Sequence, residues 1–173
     1  MGLIEKTPWL ERTFAFGLQL PMFPNILERL RGTPARLEDR LHGVPSPVLL
    51  GKAGDSWSIQ ETAGHLWLVE ELLIGRLEDL LAGAPVLRAA AYDAGQVPAA
   101  RFDERPIVEI LKSFRDARTR HVTALARLAA ADVGRTALHP RLNRTVNVLD
   151  MMVFAADHDD HHLARITELL ERS

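Results

Sequence analysis

Apolar residues recur at three- and four-residue spacing in three long stretches of the chain. The first runs through Leu66, Leu68, Val69, Leu72, Leu73, Leu77, Leu80 and Leu81. Ser58 and Glu61 precede it at capping-box spacing, and Gly83 follows as a stop, so the pattern predicts a long helix between them. Pro106 opens a second stretch through Ile107, Ile110, Leu111, Phe114, Val122, Leu125 and Leu128, ending near Asp132 and Gly134. Asn147 and Asp150 repeat the cap spacing before the third, which runs from Val148 to about Glu171. The first third of the chain is broken by Pro21, Pro24, Pro34, Pro45 and Pro47, which predicts short helices. One is expected from about Pro24 to Leu30, stopped by Gly32. A second is expected after the Thr33–Pro34 pair, carrying Leu37 and Leu41 and stopping at Gly43. Trp9 to Gly17 reads as a short helical or extended arm. Residues Ala84 to Arg105, with Pro85, Gly95 and Pro98, hold no period and read as a long crossover loop. His139, Pro140 and Asn143 fall in a further loop, and no alternating strand pattern stands out. The chain therefore reads as all-α, a helical bundle with a long crossover between the second and third main helices, plus short N-terminal helices.

Composition narrows the chemistry. The 173 residues suit one domain, 1–173, able to bury roughly 70% of its unfolded surface. With 21 basic and 23 acidic residues there is no basic excess for phosphate neutralisation, so no nucleic-acid partner is expected. No apolar run reaches the roughly 18 residues needed to span a bilayer, and Met1 to Leu10 lacks export features; no membrane partner and a cytoplasmic location are expected. Cysteine is absent, so any metal must rest on His, Asp or Glu.

Three of the seven histidines lie in His158-Asp159-Asp160-His161-His162. Residues four apart on a helix lie on one face, roughly 5–6 Å apart. His158 and His162 share a face with Met151, Ala155, Ile166 and Leu169, all apolar, and so point into the bundle. His161 is turned about 100° away. It sits among Asp150, Asp157, Arg165, Glu168 and Arg172, with Phe154 the one apolar member, and so faces water; it becomes a ligand only if the helix is rotated. His65 shares its face with Leu68, Val69 and Leu72 and also points inward. Three inward imidazoles need partners for their ring nitrogens, and a divalent cation supplies one for each while leaving the other nitrogen to a nearby acceptor.

The stretch Trp57-Ser58-Ile59-Gln60-Glu61-Thr62-Ala63-Gly64-His65-Leu66 resembles the Trp-Ser-x-x-Glu-x-x-x-His-Leu signature of the DinB-like (DinB/YfiT) superfamily. His158 to Ile166 resembles the same family's C-terminal His-x-x-His-His segment. Arg29 to Ala35 and His139-Pro140-Arg141 match a subgroup of it. The resemblance implies a four-helix bundle, a homodimer and a metal held by His65, His158 and His162. It also implies, for some relatives, thiol-dependent transfer or isomerisation with a low-molecular-weight thiol as co-substrate.

Other candidates carry two readings each. Glu61 is a helix cap, or a group that orients a ligand or acts as a base. Asp159, near the edge of the inward face, reads as a solvated acid or as a group that orients a ligand histidine. Trp57 anchors core or interface, or covers a substrate pocket; His139 is loop surface or a substrate-binding residue. His42 and His121 read as surface. The function is then that of a divalent-metal-binding protein, an enzyme of thiol S-transferase or hydrolase type on a small molecule. The alternative is a non-catalytic, metal-stabilised bundle that works as a stress-associated binding module. Zinc, nickel, iron and manganese all accept imidazole. Trp9, Phe14 and Phe16 in the arm offer apolar surface for a homodimer to cover.

Overall fold

The computed structural model describes residues 7–52, 54, 56–90 and 96–172. Expectations drawn on the first six residues and on Gly95 lie outside them. Helix α1 spans Phe23–Leu41, α2 Ser46–Leu50, α3 Ile59–Ala82, α4 Gln96–Ala99, α5 Ile107–Leu125, α6 Ala130–Val133 and α7 Val148–Arg172. Strands β1 (Thr136–His139) and β2 (Arg144–Asn147) pair antiparallel between α6 and α7.

The four long helices form the bundle. Helices α3 and α1 each pack against both α5 and α7, which puts α1 diagonal to α3 and α5 diagonal to α7. Cross-helix bonds set the directions. Gln60 reaches the Arg105 carbonyl before α5 and Glu70 meets Arg118 farther along, so α3 and α5 run parallel. Trp57 lies by His162 while His65 meets His158, so α3 and α7 are antiparallel. Parallel neighbours need a connection that returns the full length of the bundle, and residues 83–106 provide it. That is the expected crossover. It is not plain loop, however: it carries α4, a 3-10 turn at Phe102–Glu104 and a bridge from Val86 to Leu138.

The predicted caps of α3 and α7 form. Ser58 Oγ accepts from the Glu61 N–H at 3.1 Å and Glu61 Oε2 accepts from the Ser58 N–H at 2.9 Å. Asn147 and Asp150 exchange the same two bonds. Gly83 closes α3 at φ 73°, a conformation that favours glycine. Gly64 is needed for a different reason: a Cβ there would stand 2.3 Å from Phe102 Cγ, so α3 and the crossover touch through the missing side chain.

Three expectations are corrected. The two short N-terminal helices are one helix, α1, running through Gly32, Thr33 and Pro34. Proline at 34 leaves the Leu30 carbonyl without its helical donor, and Arg118 Nη1 supplies one at 2.9 Å. Thr33, read as a cap, is buried and its hydroxyl lies 2.7 Å from Asp159 Oδ2. The helix opened by Pro106, α5, stops at Leu125 rather than near Asp132, and the apolar Leu128 belongs to the turn before α6. The loop around His139 is a β-hairpin whose four-residue strands are too short to show an alternating pattern.

The arm from Trp9 is a 3-10 turn followed by extended chain, as expected, but it covers its own bundle. Trp9 packs edge-on to Phe14 and Phe154, with ring centroids 5.1 and 5.2 Å away, and Phe16 stacks on Phe14. These residues are therefore packed largely on their own bundle and do not supply the free apolar surface expected for a homodimer to cover. No helix among the described residues is long and apolar enough to cross a membrane.

Candidate metal centre and cavity

The caps and the helix period bring three imidazoles to one point. His65 projects from α3 one turn after the capping Glu61, and His158 and His162 project from α7 one turn apart. Their Nε2 atoms converge: His158 Nε2 lies 3.1 Å from those of both His65 and His162. All three lie within 4.8 Å of one another and all three residues are buried. Three lone-pair nitrogens at this spacing suit one cation, since a tetrahedral ion holding nitrogens at about 2.0–2.1 Å keeps them roughly 3.3 Å apart. Burial pushes the His65 pKa down to about 4, and pushes His158 well below its usual range with help from His65, His161 and Arg118. Both rings are neutral at pH 7, the form that binds metal. The acceptor expected behind each ring is missing in one case: His158 Nδ1 is buried with no hydrogen-bond partner among the described residues.

His161 stays out of this cluster. It is half-buried rather than solvated, its ring 5.6 Å from Trp9 and 5.2 Å from His162. Glu61 is occupied as a cap, and its other oxygen accepts from Lys52 Nζ at 2.7 Å. Against the upward push of burial, Lys52 and the Ser58 N–H hold its carboxyl below the usual range.

The three-His cluster opens into a cavity of about 520 Å³. Trp57 lines it, with its ring 4.7 Å from His65 and 6.4 Å from His162. His139 lines it too and is fully buried, so it is not loop surface. Trp9, Val69, Leu72, Leu73 and Phe154 make apolar walls; Arg76 and Arg141 stand with His139.

Two residues read as solvated are at the centre of the bundle. Asp159 and His121 are both buried. Arg118, on α5, donates to Asp159 Oδ2 and to Glu70 Oε2, each at 2.6 Å, and His121 Nδ1 lies 2.7 Å from Glu70 Oε1. The network leaves little trace in the apolar pattern, because α3 and α7 contribute one acidic residue each, Glu70 and Asp159, and α5 contributes Arg118 and His121. Arg118 lies within an otherwise ordinary charged stretch, Arg115 to Arg120, and no local spacing marks it.

The sequence profile of the DinB superfamily matches residues 29–166. The chain belongs to the DinB superfamily. Both histidine blocks of this DinB chain lie inside the matched region. Among solved structures it is similar to YfiT from Bacillus subtilis, a probable metal-dependent hydrolase with an unusual four-helix bundle topology. The two superpose with a TM-score of 0.80 at 18% identity, over 94% of this chain and 93% of that one. At that identity the likeness shows the shared fold. No curated protein matches this DinB chain significantly.

Proposed function

We propose that this protein is a divalent-metal-dependent enzyme acting on a small molecule, with His65, His158 and His162 as the metal ligands. The observation that carries the reading is the convergence of three buried Nε2 atoms on the wall of a 520 Å³ cavity. Three protein ligands leave coordination positions open, as catalytic sites do. A divalent cation there supplies Lewis acidity and makes a water or a thiol a better nucleophile at neutral pH.

The residues around it orient and enclose. Trp57 covers His65 and His162 from the side of the α3 N-terminus. Trp9, edge-on to His158 at 5.1 Å, covers the other side. The Ser58–Glu61 cap holds the first turn of α3, from which His65 projects one turn later. The walls present an apolar surface to the substrate body. Hydrolysis and thiol S-transfer with a low-molecular-weight thiol both fit this arrangement, and the hydrolase description of the YfiT structure favours the first. A purely structural ion needs no cavity beside it, which disfavours the non-catalytic bundle.

Protein purified without a His tag and stripped by chelator is expected to take up one ion per chain. Calorimetric titration with zinc, nickel, ferrous iron and manganese checks this. The loaded protein should melt higher, by about 2.7 kcal/mol of added stability at a hundredfold excess over Kd. Failure of all four ions to bind stoichiometrically would sink the metal reading. A homodimer, which now rests on the family resemblance alone, is part of the proposal. Light scattering should give twice the 19.3 kDa chain mass, and a 19.3 kDa particle at micromolar concentration rejects it.

A further inference from the structure

The cavity has two chemically different ends. His65, Val69, Leu72 and Arg76 lie along one stripe of α3 and all line it. His65 and Arg76 are eleven residues apart, so their positions on α3 are separated by about 16 Å of helix rise. The three imidazoles stand at one end. At the other stand Arg76, His139 and Arg141, and among the described residues no carboxylate lines the cavity.

The hydrogen bonds of His139 do not balance within the protein. The Leu142 N–H donates to Nδ1 at 3.2 Å, and Arg76 Nη1 lies 3.0 Å from Nε2. Guanidinium only donates, and a neutral imidazole offers one acceptor nitrogen. One of the two contacts therefore sets N–H against N–H in either tautomer. Protonating the ring makes both contacts repulsive, and burial, with Arg76 and Arg141 nearby, pushes its pKa down to about 4. An oxygen anion beside Arg76 and His139 Nε2 accepts from both and removes the conflict. Arg141 adds a second cation at this end. Its guanidinium lies over the rings of Trp9 and Phe154, 5.6 and 5.4 Å from their centroids, with no ion pair among the described residues.

We propose that the substrate is a small organic acid whose carboxylate, or a comparable oxyanion, is held by Arg76, His139 and Arg141. Its body lies along Trp9, Phe154 and Leu72, and its reactive group meets the three-His end. The placement of the reactive group rests on the metal-dependent reading above; the anion end rests on the cavity and on His139.

The test compares carboxylates with their neutral amides: phenylacetate with phenylacetamide, and hexanoate with hexanamide. Binding is read by the fluorescence of Trp9 and Trp57 and by calorimetry, on chelator-stripped and on zinc-loaded protein. At least one carboxylate is expected to bind ten-fold or more tightly than its amide in both forms. Arg141→Met should lose at least ten-fold for that carboxylate and under two-fold for the amide, while Arg141→Lys retains part of the preference. Arg141 is exposed at the rim, so neither variant threatens the fold. Absence of any carboxylate preference overturns the proposal. So does a preference that appears only with zinc and survives Arg141→Met, because the anion then sits at the three-His end and the metal reading stands alone. A preference that depends on Arg141 in protein that binds no zinc supports the anion end and sinks the metal reading instead.

Discussion

Replacing Arg118 with methionine is expected to lower the melting temperature by roughly 10–15 °C. Arg118 is 2% exposed and holds partners from all three other long helices: the Leu30 carbonyl of α1, Glu70 of α3 and Asp159 of α7. Methionine keeps most of the stem's packing against Phe114 but removes the cation from two buried carboxylates, which keep only His121 and Thr33, and leaves the proline-freed carbonyl without its donor. Removing one partner of a buried ion pair costs about 3–5 kcal/mol, and each kcal/mol is worth roughly 2–4 °C in a chain of this size. The pH dependence gives a second readout. Burial pushes the Glu70 carboxyl up, but Arg118 and His121 outweigh it and hold the pKa at about 2. A depressed carboxyl stabilises the fold fully above its ordinary pKa, near 4.5, and loses that contribution as pH falls toward 2. In Arg118→Met the sign reverses for Glu70. A buried carboxyl without its cation has a raised pKa, so acidification relieves the defect. The gap between variant and wild type should therefore narrow from pH 7.5 to pH 4.5. A loss below about 3 °C at pH 7.5 would mean that the network does not hold the bundle together.

The parts of this structure that follow from residues close in sequence were readable from the chain. The caps at Ser58–Glu61 and Asn147–Asp150 are three-residue motifs, and the inward faces of α3 and α7 follow from the helical period. The convergence of His65, His158 and His162 follows from those faces once two helices pack antiparallel. What the chain alone concealed depends on partners far away in sequence. Pro34 breaks a helix unless something satisfies the Leu30 carbonyl, and the group that does so is 88 residues distant. Asp159 looks solvated beside Asp160 because its neighbours in the chain are polar; its partners are Arg118 and Thr33, on α5 and α1. His139 stays open in the chain between loop surface and substrate binding, because its place in the cavity is set by Arg76 on α3, 63 residues away. The aromatic arm reads as apolar surface for a homodimer to cover, since nothing in the pattern shows that Trp9 returns to Phe154.

Changing His162 to alanine should cost at least ten-fold in metal affinity, and changing its neighbour His161 should cost little. The two residues are adjacent, and a His-x-x-His-His segment alone favours neither. The face argument picks His162, whose sequence neighbours at helical spacing are apolar, and the structure places its Nε2 3.1 Å from that of His158. His161 lies outside the group of nitrogens that meet within 4.8 Å. The ten-fold threshold is the lower end of the roughly 10–100-fold loss found when a residue supporting a ligand is changed, and losing a ligand itself should do no less. His161→Ala does remove a ring that packs 5.6 Å from Trp9, so it is expected to cost about 1 kcal/mol of stability, an ordinary value for a half-buried position. Zinc titration by calorimetry on both variants separates the outcomes, with His65→Ala as the control that must lose the ion. Retention of zinc by His162→Ala together with its loss from His161→Ala would mean that α7 is rotated by about 100° from the orientation described. The cavity wall formed by His158 and Phe154 would then be misassigned as well.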